Sequence, residues 1–429
     1  MGQRGKPTRV AIAGFGTVGR SVARLLQELA PPELRLTVIV NRGIDRKRVD
    51  WIDPSVRWSD SIDGALTEDV DVLVELIGGR SPAEEWIRKA LHAGKSVVTA
   101  NKQVIAHRGA ELLTESARLG RHLRFEAAVA GGVPVVRAIE QGLAGDSLTR
   151  VMGIVNGTCN YILSRMEQDR MPFCDALVEA QALGLAEADP SQDIDGIDAQ
   201  AKLAILAQIA LGVHVEPDRI PTRGIDAIDP VDFVYARQMG CTIRQVACAE
   251  RTSDPEIVRA AVGPALVPMD SPLARVRGSE NIVTLQGRFG GETTFGGRGA
   301  GGEPTAVAIL SDLLAIARDE VPLTARAGVV RAEVSAEFTT AYYVRFTVAD
   351  RPGIIASLAS AFARHSINID AILQEQGFPI GRRPFVVSLE PAPLSAIEQA
   401  MRDLSSFEFH GEAPVALPVL SVVSTGVPA

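Results

Sequence analysis

The segment from Ala180 to Lys202 concentrates the side chains that could carry out chemistry in this chain. Its carboxylates and its closing lysine are Glu187, Asp189, Asp193, Asp195, Asp198 and Lys202. Asp-Pro and Asp-Gly pairs predict a loop for the acidic part, and an apolar stripe predicts a helix from about Ile197. Asp198 and Lys202 are four residues apart, so their charged ends can meet on one helix face. The pattern suits a polar pocket that holds an ammonium group and places one lysine for proton transfer.

Two simpler interpretations of this segment compete with that one. The first is a solvated acidic loop with a surface ion pair, which contributes only about 0.2–0.5 kcal/mol. The second is a calcium-binding loop, because carboxylates alternate before a glycine. An EF-hand loop that starts at Asp193 needs a bidentate Glu at its twelfth position, where this chain has Ala204. The calcium interpretation therefore fits poorly, while the acidic-loop interpretation stays open at this point.

The elements that position these groups belong to a chain of 429 residues, which is long enough for about two or three domains. Its composition, 46% hydrophobic and 22% charged, is ordinary for a globular protein. The net charge of -8 argues against a nucleic-acid surface. The cysteines show no CxxC spacing, which fits a reducing cytoplasm. We expect neither a membrane span nor a signal peptide.

A glycine-rich turn opens the first predicted domain. Thr8 to Ala13 is typical of a buried strand, and Arg20 to Leu29 is typical of an amphipathic helix. Between them stands Gly14-Phe15-Gly16-Thr17-Val18-Gly19, a GxGxxG motif in the strand–helix context that a dinucleotide site needs. The helix N-terminus offers free N–H groups and a positive dipole end to a pyrophosphate. The motif therefore predicts a Rossmann fold that binds a dinucleotide.

The end of the second predicted strand, Leu34 to Val40, bears on the choice of cofactor. An NAD-selective fold places Asp or Glu there to bind the ribose 2′-hydroxyl. This chain has Asn41-Arg42 and then Arg46-Lys47-Arg48. Because a cationic cluster suits a 2′-phosphate, we predict a preference for NADP, with NAD still possible. An ordinary solvated loop is the alternative.

Together the motifs resemble the homoserine dehydrogenase family. The acidic segment matches its signature at Ala180-x-x-x-Gly184, Asp189-Pro190, Asp193-Ile194-x-Gly196-x-Asp198 and Lys202. Further hallmarks are ELIGG at 75–79, TANK at 99–102 and NGTxNYIL at 156–163. The resemblance runs from Val10 to about Leu420. It implies the NAD(P)-dependent interconversion of L-aspartate 4-semialdehyde and L-homoserine, in threonine, methionine and isoleucine biosynthesis.

The resemblance also implies a role for individual residues. Lys202 is the general acid/base, Lys102 lies at the nicotinamide and the substrate, and Asp198 lies near the reacting oxygen. The implied substrate contacts are Glu187, which binds the amino group, and Asp193, Gly157 and Thr158. The implied cofactor contacts are Gly14, Phe15, Gly16, Thr17, Val18, Gly19, Arg42, Thr99, Lys102 and Gly301. A sodium or potassium ion, which braces the hinge between domains, is implied at Glu126, Val129, Gly131 and Val133.

Three residues depart from the family pattern or suggest other chemistry. Leu185 stands where tyrosine is common, so it cannot donate a hydroxyl hydrogen bond. Arg298 replaces a commoner proline in a glycine-rich turn. Cys159 could suggest a covalent nucleophile, as in aspartate-semialdehyde dehydrogenase. It lies at a variable position with no histidine near it in sequence, so we favour a reaction without a covalent intermediate.

The C-terminal part of the chain predicts a separate module. After a linker at 322–336, strands are expected at 342–348, 371–376, 385–389 and 415–423, and helices at 354–365 and 394–404. This βαββαβ order, with Asp350-Arg351-Pro352-Gly353 after the first strand, resembles the ACT regulatory domain, which pairs and binds amino acids. The implied effector is L-threonine, with isoleucine and methionine still open. A purely structural dimerisation domain is the alternative.

We therefore expect an α/β protein with three domains. These are a Rossmann domain at 1–135 completed by a helix at 303–320, an α+β substrate and dimerisation domain at 136–302, and a ferredoxin-like ACT domain at 338–429. The expected function is that of a monofunctional, cytoplasmic homoserine dehydrogenase that forms a dimer or tetramer, without nucleic-acid or membrane partners. The alternatives are a catalytically inactive amino-acid sensor and another Rossmann amino-acid dehydrogenase.

Overall fold

The fold is that of a computed structural model, which describes residues 6–323, 330–349, 351–375, 383–405, 407 and 411–420. Parts of four predicted features lie outside these ranges: residues 324–329 of the predicted linker, Asp350, Gln376 and residues 421–423. Within them, no helix is both long enough and apolar enough to cross a bilayer.

The N-terminal part forms a parallel sheet. Its strands are Thr8–Ala13 (β1), Leu34–Val40 (β2), Arg57–Ser59 (β3), Val72–Glu75 (β4), Ser96–Thr99 (β5) and Leu123–Arg124 (β6). Its helices are Thr17–Leu29 (α1), Ile44–Lys47 (α2), Ala83–His92 (α3) and Lys102–Arg118 (α4). The strand order is β3-β2-β1-β4-β5-β6, with parallel pairing throughout. This doubly wound order places the β1–α1 turn and the β5–α4 turn at one carboxyl edge.

The segment from Leu123 to Ala127, whose alternating pattern suits a strand, is a strand only over its first two residues. The strand ends at Arg124, and Glu126–Ala128 forms a single 3-10 turn. The Glu126 N–H donates to Asp312 Oδ2 at 2.9 Å instead of to a neighbouring strand. The Asp312 side chain, from a helix far away in the sequence, therefore accepts the backbone N–H that would otherwise have extended the strand.

The middle of the chain forms a second sheet covered by helices. Its helices are Val135–Arg137 (α5), Gly157–Asp169 (α6), Phe173–Ala182 (α7), Ser191–Ile194 (α8), Ile197–Leu206 (α9), Pro230–Gln238 (α10) and Gly302–Ala317 (α11). The strands of this region are Leu148–Ile154 (β7), Val213–His214 (β8), Cys241–Arg251 (β9), Ile257–Pro268 (β10), Glu280–Gly287 (β11) and Gly291–Arg298 (β12), and all of them except β8 belong to the second sheet. The helix predicted from Ile197 is present, but α8 shows that part of the expected acidic loop is helical.

The segment predicted as a linker at 322–336 contains two short strands. These are Val330–Arg331 (β13) and Glu333–Ser335 (β14). β13 pairs with β8, and β14 extends the second sheet, whose order is β12-β11-β7-β9-β10-β14. The linker interpretation is wrong at these residues, because distant strands supply the hydrogen-bond partners that local sequence does not reveal.

Helix α11 returns to the first sheet, and it lies in the region where a helix was expected at 303–320. It packs against α1, and its buried Ile309 and Leu313 join a core with Val10 and Ile12 of β1. Fully burying a side chain of this size contributes about 1.5–3 kcal/mol. The polypeptide after β12 is thereby held against the first sheet.

The C-terminal part has the expected βαββαβ order. Its elements are Thr339–Val348 (β15), Ile354–Arg364 (α12), Ile369–Leu373 (β16), Arg383–Pro393 (β17), Leu394–Ser405 (α13) and Val415–Pro418 (β18). The antiparallel sheet has the order β16-β17-β15-β18. Its β15 contacts α10: Arg345 Nε lies 3.1 Å from Asp232 Oδ1, and both side chains are buried.

Candidate active site

The turn between β1 and α1 has backbone that only glycine tolerates. Gly14 has a φ of +102°, and a Cβ there would lie 2.6 Å from the Leu76 carbonyl oxygen. A Cβ on Gly19 would lie 2.1 Å from the Gly14 carbonyl oxygen. Gly16 is exposed and has open space around it. The turn is thus tight at its ends and open where α1 presents its free N–H groups to an anion.

An aromatic shelf, made of Phe15, Trp51 and Trp58, lies beside this turn. The Phe15 N–H donates to Asn41 Oδ1 at 3.0 Å, and the Phe15 ring meets Trp58 edge-on at 5.1 Å between centroids. Three guanidinium groups lie 5.6–5.8 Å from the ring centroids: Arg20, Arg24 and Arg48. Arg42 is exposed at the end of β2. The cationic cluster predicted from the sequence included Arg42 and Arg48 but not Arg20 and Arg24. The spacing of Arg20 and Arg24, about one helical turn, was a signal that both lie on one face of α1.

Asp198 lies at the centre of the candidate active site. Its Oδ1 is 2.6 Å from the Lys102 ammonium, and its Oδ2 is 2.6 Å from the Lys202 ammonium. Lys202 also donates to the Val155 carbonyl oxygen at 2.7 Å. Lys102 opens α4 of the first sheet, whereas Asp198 and Lys202 lie on α9. The fold therefore brings together all three residues that were predicted to be catalytic.

Burial and charge act in opposite directions on this cluster. Desolvation raises the pKa of the Asp198 carboxyl, but Lys202 and Lys102 lower it by more, so the net pKa lies well below its ordinary value. Burial lowers the pKa of Lys102, but attraction to Asp198, and then to Asp193 and Glu187, outweighs burial and the net shift is upward. Asp198 is therefore ionised at neutral pH and holds Lys102 as a cation.

Asn156 joins two of the acids and was not among the predicted site residues. Its amide nitrogen donates to Asp193 Oδ1 at 2.6 Å and to Asp198 Oδ2 at 2.9 Å. Its amide oxygen accepts the Cys159 N–H at 2.8 Å and caps α6. Burial raises the pKa of Asp193, and repulsion from Asp198 adds to the rise. A sequence signal existed, because Asn is a preferred N-cap residue and opens the NGT motif.

The predicted substrate residues surround this cluster in different ways. Thr158 Oγ1 donates to the Leu185 carbonyl oxygen at 2.7 Å. A Cβ on Gly157 would lie 2.8 Å from the Ser279 carbonyl oxygen, so α6 starts tightly against that loop. Glu187 is exposed, and its charge reaches Lys102. Leu185 contacts Thr158 through its backbone carbonyl, so this hydrogen bond does not depend on the tyrosine hydroxyl common in the family.

A buried acid at the end of β4 supports the β5–α4 turn. Thr99 Oγ1 donates to Glu75 Oε2 at 2.6 Å, and burial raises the pKa of Glu75. Asn101 accepts the Val104 N–H and caps α4. These contacts place Lys102 in the first turn of α4. Glu75 and Asn101 were quoted within motifs but were not predicted as site residues.

Cys159 is a buried thiol. It is 0% exposed, and its Sγ–H donates to the Asp193 carbonyl oxygen at 3.1 Å. Burial, together with the charges of Asp193 and Asp198, raises the pKa of the thiol well above its ordinary value. Because the thiolate is the nucleophilic form, this environment agrees with the preference against a covalent intermediate.

The predicted cation residues lie in the turn before α5. Glu126 is 4% exposed, and its two carboxylate oxygens accept the N–H groups of Val136 and Arg137 at 2.8 and 2.9 Å. The Val133 carbonyl oxygen accepts the Val135 N–H at 2.8 Å. Each of these oxygens keeps a second acceptor position, and hard oxygen ligands suit a hard cation. The residues present therefore fit a monovalent cation.

Asp312 of α11 adds a second buried acid that sequence analysis missed. Burial, and then repulsion from Glu126, raise the pKa of Asp312 to about 7. Across the residues that the structure describes, His, Cys, Asp and Glu side chains form no group of three or more that could hold a metal. A cation here would therefore depend on backbone carbonyl oxygens, such as those of Val129 and Gly131, beside Glu126.

The glycine-rich loop at 299–302 connects β12 to α11. Gly301 has a φ of +115°, and a Cβ on Gly302 would lie 2.5 Å from Ser21 Oγ of α1. The Arg298 carbonyl oxygen accepts the Gly132 N–H at 3.1 Å. A proline at this position could make the same contact, since it keeps its carbonyl. The loop thus lies beside the N-terminal half of α1, close to the predicted cofactor turn.

Comparison with known proteins agrees with this geometry. Residues 14–126 match the model for the NAD-binding domain of homoserine dehydrogenase, residues 134–314 match the homoserine dehydrogenase model, and residues 342–406 match the ACT domain. Homoserine dehydrogenase of Mycobacterium tuberculosis is 41% identical over 93% of this chain and 95% of its own length. This chain belongs to the homoserine dehydrogenase family.

Solved structures of the homoserine dehydrogenase family share its fold. A homoserine dehydrogenase from Thiobacillus denitrificans has a TM-score of 0.89 at 32% identity, over 97% of this chain and 99% of that one. A hyperthermophilic archaeal homoserine dehydrogenase in complex with NADPH has a TM-score of 0.63 at 27% identity, over 75% and 100%. The predicted fold class is confirmed, and the chain is an oxidoreductase of the homoserine dehydrogenase type with a nicotinamide-binding domain and an ACT domain.

Proposed function

We propose that this homoserine dehydrogenase uses Lys202 as the general acid/base between L-homoserine and L-aspartate 4-semialdehyde. A lysine ammonium has three donors. Lys202 directs one to Asp198 Oδ2 at 2.6 Å and one to the Val155 carbonyl oxygen at 2.7 Å. Among the described residues these are its only hydrogen-bond partners. The third donor is available for the reacting oxygen of the substrate, and this arrangement is the observation that carries the proposal.

The same groups account for both directions of the reaction. In oxidation the proton of the C4 hydroxyl passes to the Lys202 nitrogen, and in reduction the ammonium returns it to the carbonyl oxygen. The nicotinamide, when bound, takes or supplies the hydride at C4. Asp198 holds the ammonium groups of Lys102 and Lys202 at fixed positions. The exposed Glu187 and the carboxylate of Asp193 supply negative charge for the substrate ammonium.

Lys202→Ala tests this role. We expect the rate of homoserine oxidation at saturating substrate to fall by at least about 100-fold, the lower end for general acid–base catalysis. Lys95→Ala is a matched control, because Lys95 also donates to backbone carbonyls, those of Thr67 and Val70, but lies away from the carboxylate cluster. A Lys202→Ala rate as high as that of the control would exclude proton transfer by Lys202 and make Lys102 the candidate.

We also propose that NADP is preferred over NAD. The exposed Arg42 at the end of β2 supports the preference, because no acid stands there to bind a 2′-hydroxyl, and the structurally similar archaeal enzyme was solved with NADPH. In Arg42→Glu we expect the ratio of kcat/KM for NADP to that for NAD to fall by about tenfold or more. Arg35→Glu, at the opposite end of β2, is the control and should leave the ratio unchanged.

The ACT domain supports a further proposal, feedback inhibition by L-threonine. Its sheet and its two helices have the βαββαβ order, and the family model covers residues 342–406. Added L-threonine should lower the rate of homoserine oxidation and should bind in calorimetry, while L-isoleucine and L-methionine serve as comparisons. Threonine binding without inhibition would point to a structural role for the domain.

The remaining proposals concern organisation. We propose a homo-oligomer, either a dimer or a tetramer, and a domain division at 1–135, 136–302 and 338–429, with α11 completing the first domain. A cytoplasmic location is supported by four cysteines without a disulfide between them. Light scattering tests the assembly, and limited proteolysis followed by mass spectrometry tests the division.

A further inference from the structure

Asn281 holds the same carbonyl group that anchors Lys202. Its Nδ2 donates to the Val155 carbonyl oxygen at 3.2 Å, and Lys202 Nζ donates to that oxygen at 2.7 Å. A carbonyl oxygen has two lone pairs, so the two donors together occupy it. Asn281 is 1% exposed and lies on β11, opposite Gly297 of β12. A change at Asn281 therefore reaches Lys202 through one shared atom.

Asn281 also supports the glycine-rich loop at 299–302. A Cβ on Gly299 would lie 1.9 Å from Asn281 Cγ, so the loop backbone lies directly against the amide group. On its other side, the Gly299 carbonyl oxygen would lie 2.3 Å from a Cβ on Gly131. The amide is thus enclosed between the anchor of the candidate acid/base and the loop that precedes α11.

The amide oxygen of Asn281 gives a third reason to single out this residue. Among the described residues, this buried Oδ1 has no hydrogen-bond partner. An unpaired buried acceptor costs free energy, and each such group in a folded protein calls for an explanation. A leucine of similar volume would avoid that cost but could not donate to Val155. The donor of the amide therefore accounts for the presence of an asparagine at this position.

We propose that Asn281 is a positioning residue, which sets the place of the Lys202 ammonium relative to the 299–302 loop through the Val155 carbonyl. The proposal rests on the proposed role of Lys202. When the donor is removed, the carbonyl keeps one partner and the loop loses its support. Lys202 then samples positions away from the reacting oxygen, and proton transfer slows while substrate binding by the acidic groups continues.

The test compares Asn281→Ala with Asn160→Ala. Asn160 is a matched control: it is 0% exposed, its Nδ2 donates to the Gly278 carbonyl oxygen at 2.9 Å, and its Oδ1 is likewise unpaired among the described residues. For Asn281→Ala we expect kcat of homoserine oxidation to fall about 10- to 100-fold, since a displacement near 1 Å can cost about that much. The KM for homoserine should change by less than about threefold, and the solvent deuterium isotope effect on kcat should increase.

If Asn281→Ala does not fold, the isosteric Asn281→Asp takes its place. Its carboxylate cannot donate to Val155 when ionised, and it lies within about 6 Å of the Lys202 nitrogen, close enough to favour the ammonium form. The rate of homoserine oxidation should then need a higher pH than in the native enzyme, whereas Asn160→Asp should not shift the profile.

The outcomes separate this inference from the proposed function. If Lys202→Ala is inactive but the Asn281 and Asn160 variants match each other in kcat, isotope effect and pH profile, the positioning role is wrong. If Lys202→Ala stays active, the proposed role of Lys202 fails first. A lower kcat with a larger isotope effect, seen only at Asn281, supports the inference.

Discussion

Asp198→Asn removes the negative charge from between two ammonium groups. Each ammonium lies 2.6 Å from a carboxylate oxygen, a distance at which two unit charges attract by roughly 6 kcal/mol at an effective dielectric constant of 20, before the cost of burial. Removing one partner of a buried ion pair costs about 3–5 kcal/mol net. Because Asp198 serves two lysines and is 5% exposed, we expect a loss of free energy of unfolding in the upper half of that range.

The assay is thermal unfolding together with homoserine oxidation. A loss of about 4–5 kcal/mol corresponds to a decrease in Tm of roughly 8–20 °C for a domain of this size. The rate should fall by about 100-fold or more, because both lysines lose their fixed positions. Asp193→Asn is the matched control: Asp193 bonds to the same Asn156 amide, but among the described residues it forms no ion pair with a lysine, whereas Asp198 forms two. Its Tm should fall by less than half as much as that of Asp198→Asn.

The pH dependence gives a second check on the same reasoning. The pKa of Asp198 is lowered in the folded state, so its stabilisation is present above the unfolded pKa of about 3.9 and is lost as pH falls below that value. The difference in stability between the native protein and Asp198→Asn should therefore be constant at neutral pH and shrink below about pH 4. A variant with native Tm and native kcat/KM at pH 7 would refute the argument that Asp198 organises the site.

Three further predictions test other parts of the structure. Arg345→Met should lower the Tm by destabilising the contact of the ACT domain, since it leaves the buried Asp232 without its cation 3.1 Å away, a cost of about 3–5 kcal/mol; an unchanged Tm contradicts this. Gly299→Ala places a Cβ 1.9 Å from a buried amide carbon and should lower kcat/KM by about tenfold or more, whereas Gly297→Ala, whose nearest contact is an ordinary 3.5 Å, should not. If a sodium ion binds beside Glu126, the native Tm should be higher in sodium chloride than in choline chloride of equal ionic strength, and Glu126→Gln should abolish that difference; equal Tm values in the two salts argue against the ion.

Much of the fold follows from patterns that are local in the sequence. The predicted bounds of β1 and β2 match those of the structure, because continuous apolar runs flanked by turn residues indicate buried parallel strands directly. The glycines of the β1–α1 turn could be recognised for the same reason, since the positive φ of Gly14 and the close approach at Gly19 exclude other residues. The apolar stripe from Ile197 likewise predicted helix α9, and the four-residue spacing predicted the contact between Asp198 and Lys202.

The chemistry of the site, in contrast, depended on contacts between distant segments. Local spacing could not show that Asp198 also binds Lys102, that Asn156 donates to two acids, or that Asn281 shares a carbonyl with Lys202. The resemblance to a family placed Lys102 near the substrate without giving its partner. The strands at 330–331 and 333–335 were not predicted for the same reason, because the strands with which they pair are distant in the sequence.

The sequence by itself therefore determined the class of this protein: its nucleotide-binding turn, its acidic signature and its homoserine dehydrogenase family. Only the tertiary structure decided which charges neutralise each other and which amides hold them. The physical reason is that helix and strand periodicity is set within a few residues, whereas hydrogen bonds and ion pairs in a buried site are set by the packing of elements far apart in the chain. Asp198 makes both a local and a distant contact. Its ion pair with Lys202 lies within one helical turn of α9, whereas its ion pair with Lys102 joins α9 to α4.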